Sequence, residues 1–271
     1  MLAACGYGNA SGIPKAGRPM APSPTCSTDP EHGRNHWIDP TDGKVGSEVF
    51  KDRKAAALAD AVKRNDLSQI RTFLNEGGDP NAVGDGGITL LDWALRRERT
   101  DAFSLLLNSG ADPTKKGPGS RSVIHEAAIA DDTTFLSMLI AHHADINLKT
   151  DEGETPLQLS LMPRCDKPFH MLIAAGADLR LTDPAGNTPL HTAAMINDFN
   201  GQLDLLEAGA DPLARNSTGL TFQRYLNMTP ESVLSDQGRV GIANIHAWLN
   251  DHHVPVEPRP KEEVMPWQRH D

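Results

Sequence analysis

The sequence contains few aromatic residues, which make up 5% of its 271 positions. A folded core built from this chain must therefore be mainly aliphatic and rich in alanine. Cysteine is also rare, and Cys5, Cys26 and Cys165 are odd in number and far apart, which argues against a disulfide framework. The chain has no run of 18 apolar residues, so the sequence predicts no membrane-spanning helix.

The motifs of common enzyme classes are missing as well. We find no glycine-rich phosphate loop, paired-histidine zinc motif, CxxC pair, nucleophile elbow or EF-hand spacing. The carboxylate clusters Asp131–Asp132 and Asp151–Glu154 fit solvated acidic turns, because acid–base catalysis needs a pocket that separates the pKa values of two acids. The pairs His32/His36 and His142/His143 fit a loop and a helix end. The sequence therefore predicts a protein that is not an enzyme and binds no cofactor or metal.

Positive charge is in short supply. The chain has 26 Lys and Arg against 36 Asp and Glu, a formal net charge of −10, and its pI is near 5.5. This balance argues against nucleic acid or an anionic membrane surface as the main partner. The apolar content of 38% is low for a compact globule but suits a thin solenoid, which has much surface for its core.

What the sequence does contain is a repeat with a period of 33 residues. The first column of the repeat holds Gly77, Gly110, His143, Gly176 and Gly209. The second, aliphatic column holds Leu58, Leu91, Ile124, Leu157 and Leu190. The third column holds Thr89, Ser122, Thr155, Thr188 and Thr221, and the fourth holds Gly87, Ser120, Gly153, Gly186 and Gly219. Columns that keep one register over so many residues exclude chance.

Each column has a physical role. Gly186 supplies the positive φ of a tight turn. Thr188 caps the following helix with its hydroxyl, and Pro189 suits the first helical position because an N–H would have no partner there. Gly209 ends the next helix in the left-handed conformation. His143 occupies the same position, where its Cβ makes the left-handed conformation unfavourable. We therefore expect the third unit to be weakened locally.

The best-formed unit is DPAGNTPLHTAAMINDFNGQLDLLEAGADPLA, residues 183–214. Its Gly-Asn-Thr-Pro-Leu-His-Thr-Ala-Ala opening and its Leu-Leu-Glu-Ala-Gly-Ala-Asp-Pro close resemble an ankyrin repeat. The resemblance implies an all-α solenoid in which each unit is a helix-turn-helix with a hairpin-like finger. It also implies that the array recognises another protein.

We expect about six units within residues 47–256. They span 52–84, 85–117, 118–150, 151–183, 184–216 and 217–256. The first and last units depart from the pattern, as expected for solenoid ends that have one face without a neighbour. In the last unit Gln223 and Arg224 replace the usual Leu and His, and Trp248 is predicted to close the core. Residues 257–271 are predicted to form an extended tail.

The N-terminus carries a second resemblance. Residues 2–5, Leu-Ala-Ala-Cys, resemble a bacterial lipobox, which implies that Cys5 bears a lipid. Only Met1 precedes the motif, so the resemblance implies a sequence that begins within a signal peptide; the alternative is a chance match at an ordinary cytosolic N-terminus. Residues 6–46 are dense in Pro, Gly and Ser without a hydrophobic period, which predicts a linker.

The register also predicts which side chains form the inner, concave surface of the solenoid. Trp and Arg exposed together have the composition of interface hot spots, and an adjacent Met–Ile pair adds an apolar patch. We predict that the partner-binding residues are Asp85, Trp93, Arg96, Arg97, Arg99, Glu126, Asp132, Asp151, Glu152, Met195, Ile196, Asp198 and Phe199. The alternative for Trp93 is partial packing between the second and third units. For the arginines the alternative is an ordinary solvated helix face.

The lipobox-like start, the linker and the acidic array together resemble periplasmic ankyrin-repeat immunity proteins that neutralise phospholipase effectors of type VI secretion. This resemblance implies a periplasmic protein, anchored to the outer membrane through its lipid, that binds one toxin molecule and covers its active site. Acidity would speed the capture of a basic partner. The alternative is an adaptor that supports a periplasmic or cytosolic enzyme, such as an oxidative-stress enzyme, and a cytoplasmic location fits that alternative.

These predictions separate stability from binding. Leu190→Asp is expected to unfold the array. Trp93→Ala and Arg97→Glu are expected to spare the fold and weaken partner binding.

Overall fold

The structure is a computed structural model that describes residues 43–161, 166–229 and 234–259. The helices in these ranges are α1 (Gly46–Val49), α2 (Arg53–Lys63), α3 (Leu67–Asn75), α4 (Leu90–Leu95), α5 (Thr100–Asn108), α6 (Val123–Ala128), α7 (Thr134–Ala141), α8 (Pro156–Ser160), α9 (Asp166–Ala174), α10 (Pro189–Met195), α11 (Phe199–Glu207), α12 (Phe222–Leu226) and α13 (Asp236–Asp251). Two short 3₁₀ turns are Asp85–Gly87 and Pro118–Ser120. Within the described ranges, every helix is too short or too polar to cross a membrane.

From α2 onward the helices form pairs that follow the 33-residue repeat. The first helix of each pair, the inner helix, packs against the inner helices of the neighbouring units, from α2 through α4, α6, α8 and α10 to α12. The outer helices α3, α5 and α7 pack in the same order. Ala193 and Ala194 of α10 are buried, and their small side chains allow neighbouring inner helices to approach closely. The predicted all-α solenoid of helix pairs is confirmed.

The inner helices begin at polar side chains, as predicted. The Thr155 hydroxyl accepts a hydrogen bond from the Gln158 N–H, and the Gln158 side chain accepts one from the Thr155 N–H. Thr89 and Asp92 form the same reciprocal pair at the start of α4. Each pair satisfies two backbone donors that a helix start leaves without a partner.

A short turn, here called a finger, precedes each inner helix from the second unit to the sixth. In five fingers one backbone N–H donates to the carbonyl four residues later, at N···O distances of 2.7–3.0 Å. The donors are residues 84, 117, 150, 183 and 216. The fourth column of the repeat lies in these turns with φ values between 60° and 85°. Ser120, at 60°, therefore substitutes for glycine as predicted.

His143 ends the outer helix of the third unit in the left-handed conformation. Its φ is 56°, whereas the four glycines at the same position have φ values between 84° and 94°. An L-residue with a side chain loses roughly 1–2 kcal/mol in this region because Cβ crowds the next carbonyl. The predicted local weakness of the third unit thus has a backbone cause.

We expect His143→Gly to raise the free energy of unfolding by about 1 kcal/mol, because glycine adopts this conformation without the Cβ contact. The adjacent His142 has an ordinary φ of −87°. His142→Gly should therefore lower stability, by roughly 0.5–1 kcal/mol, through the entropy of the unfolded chain. Urea titrations of the two variants measure both changes. Equal signs for the two substitutions would contradict the backbone explanation.

The first helix, α1, and the residues just before it are bonded to α2. The Gly46 N–H donates to Asp60 Oδ1 at 2.6 Å, and Lys63 Nζ donates to the Lys44 carbonyl at 2.7 Å. A Cβ at residue 46 would lie 2.2 Å from the Ala56 carbonyl oxygen, so the approach of α1 to α2 requires glycine. Lys44 and Gly46, at the end of the predicted linker, are therefore bonded to α2, and the linker boundary stays a prediction.

Most of the N-terminal prediction lies outside the described residues. This holds for the lipobox-like residues 1–5, with Cys5, and for residues 6–42 of the predicted linker. Their lipidation and linker roles therefore stay predictions.

The chain after α13 turns back along the last unit as a C-terminal segment, residues 254–259. Gln223 is fully buried; its Nε2 donates to the Pro255 carbonyl at 3.0 Å, and its Oε1 accepts from the Glu257 N–H at 2.8 Å. Asn227 Nδ2 donates to the Glu257 carbonyl at 3.1 Å. Glu257, the first residue of the predicted extended tail, is therefore held against α12, and the tail boundary stays a prediction.

Gln223 explains why the last unit departs from the repeat. The segment that it binds lies along α12, where Asn227 also donates to the Glu257 carbonyl. Trp248 of α13 also packs against the core at this end while remaining half exposed, and its ring stacks on His252 with centroids 3.8 Å apart. The end of the solenoid is thus closed by backbone recognition as well as by the predicted tryptophan.

Candidate inner-surface binding site

Exposed apolar side chains lie at the C-terminal ends of two neighbouring inner helices. Met195 is the last residue of α10, Ile196 follows it, and Met228 lies just beyond α12. Their exposed fractions are 51%, 43% and 57%. We call these three residues the Met–Ile patch. Large exposed hydrophobic side chains that lie together mark interaction surfaces more often than ordinary solvated surface.

A hydrogen bond joins the two loops that carry the patch residues. Thr229 Oγ1 donates to Asn197 Oδ1 at 3.1 Å, and each of these residues directly follows a patch residue. The helices α10 and α12 also pack against each other. Asn197 is in the left-handed conformation, with φ 58°, which ends the inner helix at this point.

The sequence-based site included Met195 and Ile196 but missed Met228. The signal was available, because Met195 and Met228 are separated by one 33-residue period. Met162 has the same position one unit earlier and lies outside the described residues. Met195 and Met228 therefore occupy equivalent positions in the fifth and sixth units.

Trp93 lies in the core, and the expectation that it is exposed is wrong. Its side chain has no exposed surface. The indole Nε1 donates to the Ala59 carbonyl at 2.9 Å, and the ring meets Phe50 edge to face, with centroids 5.6 Å apart. Trp93 therefore joins the first and second units, whereas the alternative interpretation placed it between the second and third.

Two predicted contact arginines also support this junction. The Arg97 guanidinium carbon lies 3.3 Å from the centroid of the Trp93 ring, so Arg97 covers the tryptophan through a cation–π contact. Arg99 Nε donates to the Lys63 carbonyl at 2.9 Å. Both arginines are half-buried, so they are neither the solvated face nor the fully exposed hot spot that the sequence suggested.

Arg96 and Glu126 form an ion pair between the second and third units. Arg96 Nη2 lies 3.9 Å from Glu126 Oε2, and the two side chains are 12% and 9% exposed. Burial raises the pKa of Glu126, while the Arg96 charge opposes the rise. The expectation that Glu126 is an exposed contact is wrong, because its side chain is buried beside Arg96 of the preceding unit.

Asp92 lies beside this ion pair with one oxygen unused. Its Oδ2 accepts from the Thr89 N–H and hydroxyl, and Oδ1 has no hydrogen-bond partner among the described atoms. Burial raises the pKa of Asp92. In the fourth unit the equivalent residue is Gln158, whose Nε2 donates to the Asn187 carbonyl at 3.0 Å. Asp92 Oδ1 makes no corresponding bond to the third unit, so the junction between the second and third units lacks this contact.

The predicted finger-tip acids are exposed. Asp85 pairs with Lys51 at 3.0 Å, and Asp151 pairs with Lys116. The hydrogen bond from Lys116 is the largest cause that lowers the pKa of Asp151. Glu152 is also exposed. Exposed ion pairs contribute only about 0–1 kcal/mol, so these acids stay available to a partner.

The remaining predicted contacts start outer helices. Exposed Asp132 accepts from the Thr134 N–H at 2.9 Å. Half-buried Asp198 accepts from the Gly201 N–H at 2.9 Å and caps α11. Phe199 is half-buried against the core; a Cβ at Gly241 of α13 would lie 2.5 Å from its Cγ. Phe199 therefore mainly joins α11 to α13.

Comparison with known proteins agrees with this geometry. Residues 120–216 match the family model for ankyrin repeats in three copies. The fold is an ankyrin-repeat solenoid. The solved ankyrin repeat domain of Bcl-3, a member of the IκB protein family, is similar with a TM-score of 0.61 and 21% identity, over 71% of this chain and 85% of that chain. No curated protein sequence gives a significant match.

Ankyrin repeats imply a protein-binding module. The structural likeness extends to 547 solved chains, so the fold alone does not name a partner. Among the described residues, no group of three or more His, Cys, Asp or Glu side chains is placed to hold a metal ion.

The histidine of the ankyrin opening links neighbouring units. In the fifth unit His191 Nδ1 accepts from the Thr188 N–H at 3.3 Å, so Nδ1 carries no proton. Nε2 therefore holds the hydrogen and donates to the Leu220 carbonyl at 3.0 Å. A second proton on Nδ1 would break the helix cap. Burial lowers the pKa of His191 in agreement with this geometry, and His125 has the same arrangement in the third unit.

We expect His191→Gln to remove part of the acid sensitivity of the ankyrin array. The folded-state pKa lies below the unfolded value of about 6.5, so the unfolded chain binds a proton first and stability falls as the pH drops below that value. Glutamine makes both contacts without titrating, as Gln158 does. Urea titrations at pH 7.5 and 5.0 compare the loss in the two proteins.

The reciprocal variant, Gln158→His, is the matched control. It should add an acid-dependent loss of stability to the fourth unit. An unchanged loss between pH 7.5 and 5.0 in the His191→Gln variant would show that the histidine is not held neutral by its cap.

Proposed function

We propose that this ankyrin array binds another protein through the Met–Ile patch of its fifth and sixth units. The observation that carries the proposal is the equivalent placement of Met195 and Met228, about half exposed at the C-terminal ends of neighbouring inner helices. Methionine side chains are flexible and polarisable, which suits them to irregular partner surfaces. The patch is larger than the scattered single hydrophobic residues that need no explanation.

The charge of the array favours a basic partner. The net charge is −10, and exposed acids such as Asp151 and Glu152 lie on a finger. Opposite charges on the two proteins would speed their encounter and orient it. Apolar burial at the patch would then slow dissociation, since affinity differences in related complexes arise mostly from the rate of dissociation.

We further propose that the partner is a secreted antibacterial effector of the phospholipase type and that this protein is its periplasmic immunity protein. The lipobox-like residues 2–5, the Pro/Gly/Ser-rich stretch after them and the acidic array support this proposal by their resemblance to such proteins. A one-to-one complex would cover the lipid-binding entrance of the enzyme. Inhibition is then steric and requires no chemistry from the array.

The test mixes the purified protein with the effector encoded beside it and measures phospholipase activity and affinity. Met195→Asp combined with Met228→Asp should weaken binding at least about 30-fold, as expected for the loss of a hot spot of about 2 kcal/mol. The control is Val240→Asp on α13, where the side chain is 60% exposed but lies outside the patch. Equal effects of the patch and control variants would reject this surface.

Inhibition decides between the immunity role and the adaptor role. An effector that stays fully active in a saturating excess of this protein would refute the immunity proposal. Stable binding to a resident enzyme without inhibition would instead place the array among adaptors.

The location is tested separately through the N-terminus. Palmitate labelling in bacterial cells should be lost in a Cys5→Ala variant if Cys5 carries lipid and anchors the protein in the periplasm. Wild-type protein that takes up no label would reject the lipoprotein proposal, whatever the outcome of the binding experiment.

A further inference from the structure

Glu257 of the C-terminal segment contacts both ends of α12. Its Oε1 accepts from the buried Thr221 hydroxyl at 2.8 Å, and its carbonyl accepts from Asn227 Nδ2 at 3.1 Å. Thr221 directly precedes α12, and Asn227 directly follows it. Between these ends, the Glu257 N–H donates to Gln223 Oε1 at 2.8 Å. One residue of the segment therefore binds α12 along its whole length.

This contact replaces a capping partner that the sixth unit lacks. In α4, α6, α8 and α10 the side chain of the third helical residue accepts a hydrogen bond from the backbone N–H that precedes the helix. These residues are Asp92, His125, Gln158 and His191. The third residue of α12 is Arg224, and a guanidinium has donors only. Glu257 supplies an acceptor at the start of α12 from outside the helix, so this helix end depends on the C-terminal segment.

The other end of α12 carries Met228 of the Met–Ile patch. The preceding residue, Asn227, is buried, and its Oδ1 has no partner among the described atoms, so the bond from Nδ2 to Glu257 holds this side chain. The carbonyl of Thr229, on the other side of Met228, accepts from Arg259 Nη1 at 3.4 Å. The C-terminal segment therefore contacts the chain on both sides of the exposed methionine.

Few apolar contacts hold the segment in place. Val254 packs against the core, whereas Pro255, Val256 and Pro258 are exposed. A segment that is held mainly by hydrogen bonds can open locally at a low cost in free energy. Removing a polar contact of Glu257 should therefore loosen the segment and leave the rest of the array folded.

We propose that Glu257 is a positioning residue for the partner-binding surface. By binding both ends of α12 it holds the loop of Met228 against the loop that follows Met195, to which Thr229 is bonded. A surface that is ordered before binding costs a partner less conformational entropy. The importance of Glu257 for binding rests on the proposed function, whereas its ordering of the loop can be measured without a partner.

The first test is amide hydrogen exchange in the full chain, measured by NMR. The Met228 N–H donates to the Tyr225 carbonyl at 3.0 Å, so its exchange reports the opening of the loop. Glu257→Ala removes the carboxylate and should speed this exchange at least about tenfold. Glu257→Gln keeps an oxygen acceptor, and its exchange should stay within about twofold of the wild-type rate.

The internal control is an amide at the end of another inner helix. The Arg96 N–H, just after α4, donates to the Asp92 carbonyl at 2.9 Å and should exchange at the wild-type rate in both variants. An unchanged Met228 amide in Glu257→Ala would reject the positioning role, as would equal acceleration in Glu257→Gln. Faster exchange of the Arg96 amide as well would also reject it, because Glu257 would then support the whole array.

The second test measures affinity for the effector encoded beside this protein. If the loop is ordered in only about one in five Glu257→Ala molecules, affinity should fall about fivefold. Glu257→Gln should bind within about twofold of the wild type. Glu207→Ala, which removes an exposed carboxylate at the end of α11, is the charge control and should have an equally small effect.

The two measurements separate this inference from the proposed function. Faster Met228 exchange with unchanged affinity would reject a role of Glu257 in binding. Unchanged exchange in a protein that binds the effector would reject the positioning role and leave the proposed function standing. Faster exchange in Glu257→Ala, with no effector bound by the wild type, would uphold the ordering of the loop and reject the proposed function.

Discussion

Trp93→Ala is expected to lower the free energy of unfolding by about 3–5 kcal/mol, the cost of removing a large buried aromatic side chain. The indole is fully buried and donates to the Ala59 carbonyl. Alanine would leave a cavity beside Phe50 and a buried carbonyl without its donor. Because Trp93 joins the first two units, the first unit should detach before the others. Urea titration gives the total loss, and hydrogen exchange in α2 locates it.

The control is the same substitution at Trp248, which is half exposed and stacks on His252. We expect Trp248→Ala to cost only about 1 kcal/mol, because little buried volume is lost. A folded Trp93→Ala protein with wild-type stability would restore the original expectation that this residue serves binding alone. Equal losses of unfolding free energy in the two variants would show that Trp93 stabilises the array no more than the half-exposed Trp248 does.

Leu190→Asp is expected to unfold the central units, with a loss of at least about 4 kcal/mol. Leu190 is 1% exposed and belongs to the core that α10 shares with its neighbours. An aspartate there would have to bury an ionised or newly protonated carboxyl without a partner. Circular dichroism should show the loss of helix, and the transition should lose cooperativity because the array is cut in the middle.

Leu213→Asp provides the matched control in the same unit. Leu213 is 55% exposed, so a carboxylate at this position stays in water. We expect a change within about 0.5 kcal/mol, as for an ordinary surface substitution. A cooperative, fully helical Leu190→Asp protein would contradict the assignment of this leucine to the core.

Local conformation was predictable residue by residue wherever the repeat demands one backbone geometry. His143 and Ser120 occupy columns that are otherwise glycine, and both have positive φ values, 56° and 60°. The Thr155 cap and its reciprocal partner Gln158 also occur where the pattern places them. These features depend on residues near in sequence, so a periodic alignment is enough to find them.

The direction of a side chain at a junction was not predictable in the same way. Register placed Trp93 on the inner side of α4, but Phe50 of the irregular N-terminal part lies beside its ring. That partner precedes the first recognisable repeat, so no repeat column contains it. The burial of Glu126 has a similar origin, because its partner Arg96 comes from the preceding unit.

The C-terminal end of the array contains a contact that could not be predicted from the sequence. Gln223 breaks the repeat, and only the folded chain reveals that its amide binds the backbone of Pro255 and Glu257. A glutamine side chain can form hydrogen bonds with any extended backbone. The position of Gln223 in the sequence therefore did not predict which backbone segment it binds. The placement of Met228 beside Met195, by contrast, follows from the period once α10 and α12 are known to pack together.

By itself the sequence determined the all-α repeat, its period, its turns and helix caps, and its acidic surface. Those properties follow from short-range sterics, hydrogen bonding and composition, which recur in every unit. The tertiary structure alone decided which inner-surface residues are free: Trp93 and Glu126 are buried, while Met195, Ile196 and Met228 remain exposed. Burial depends on what neighbouring units and the two irregular ends place against each side chain, and that information is not contained in any single repeat.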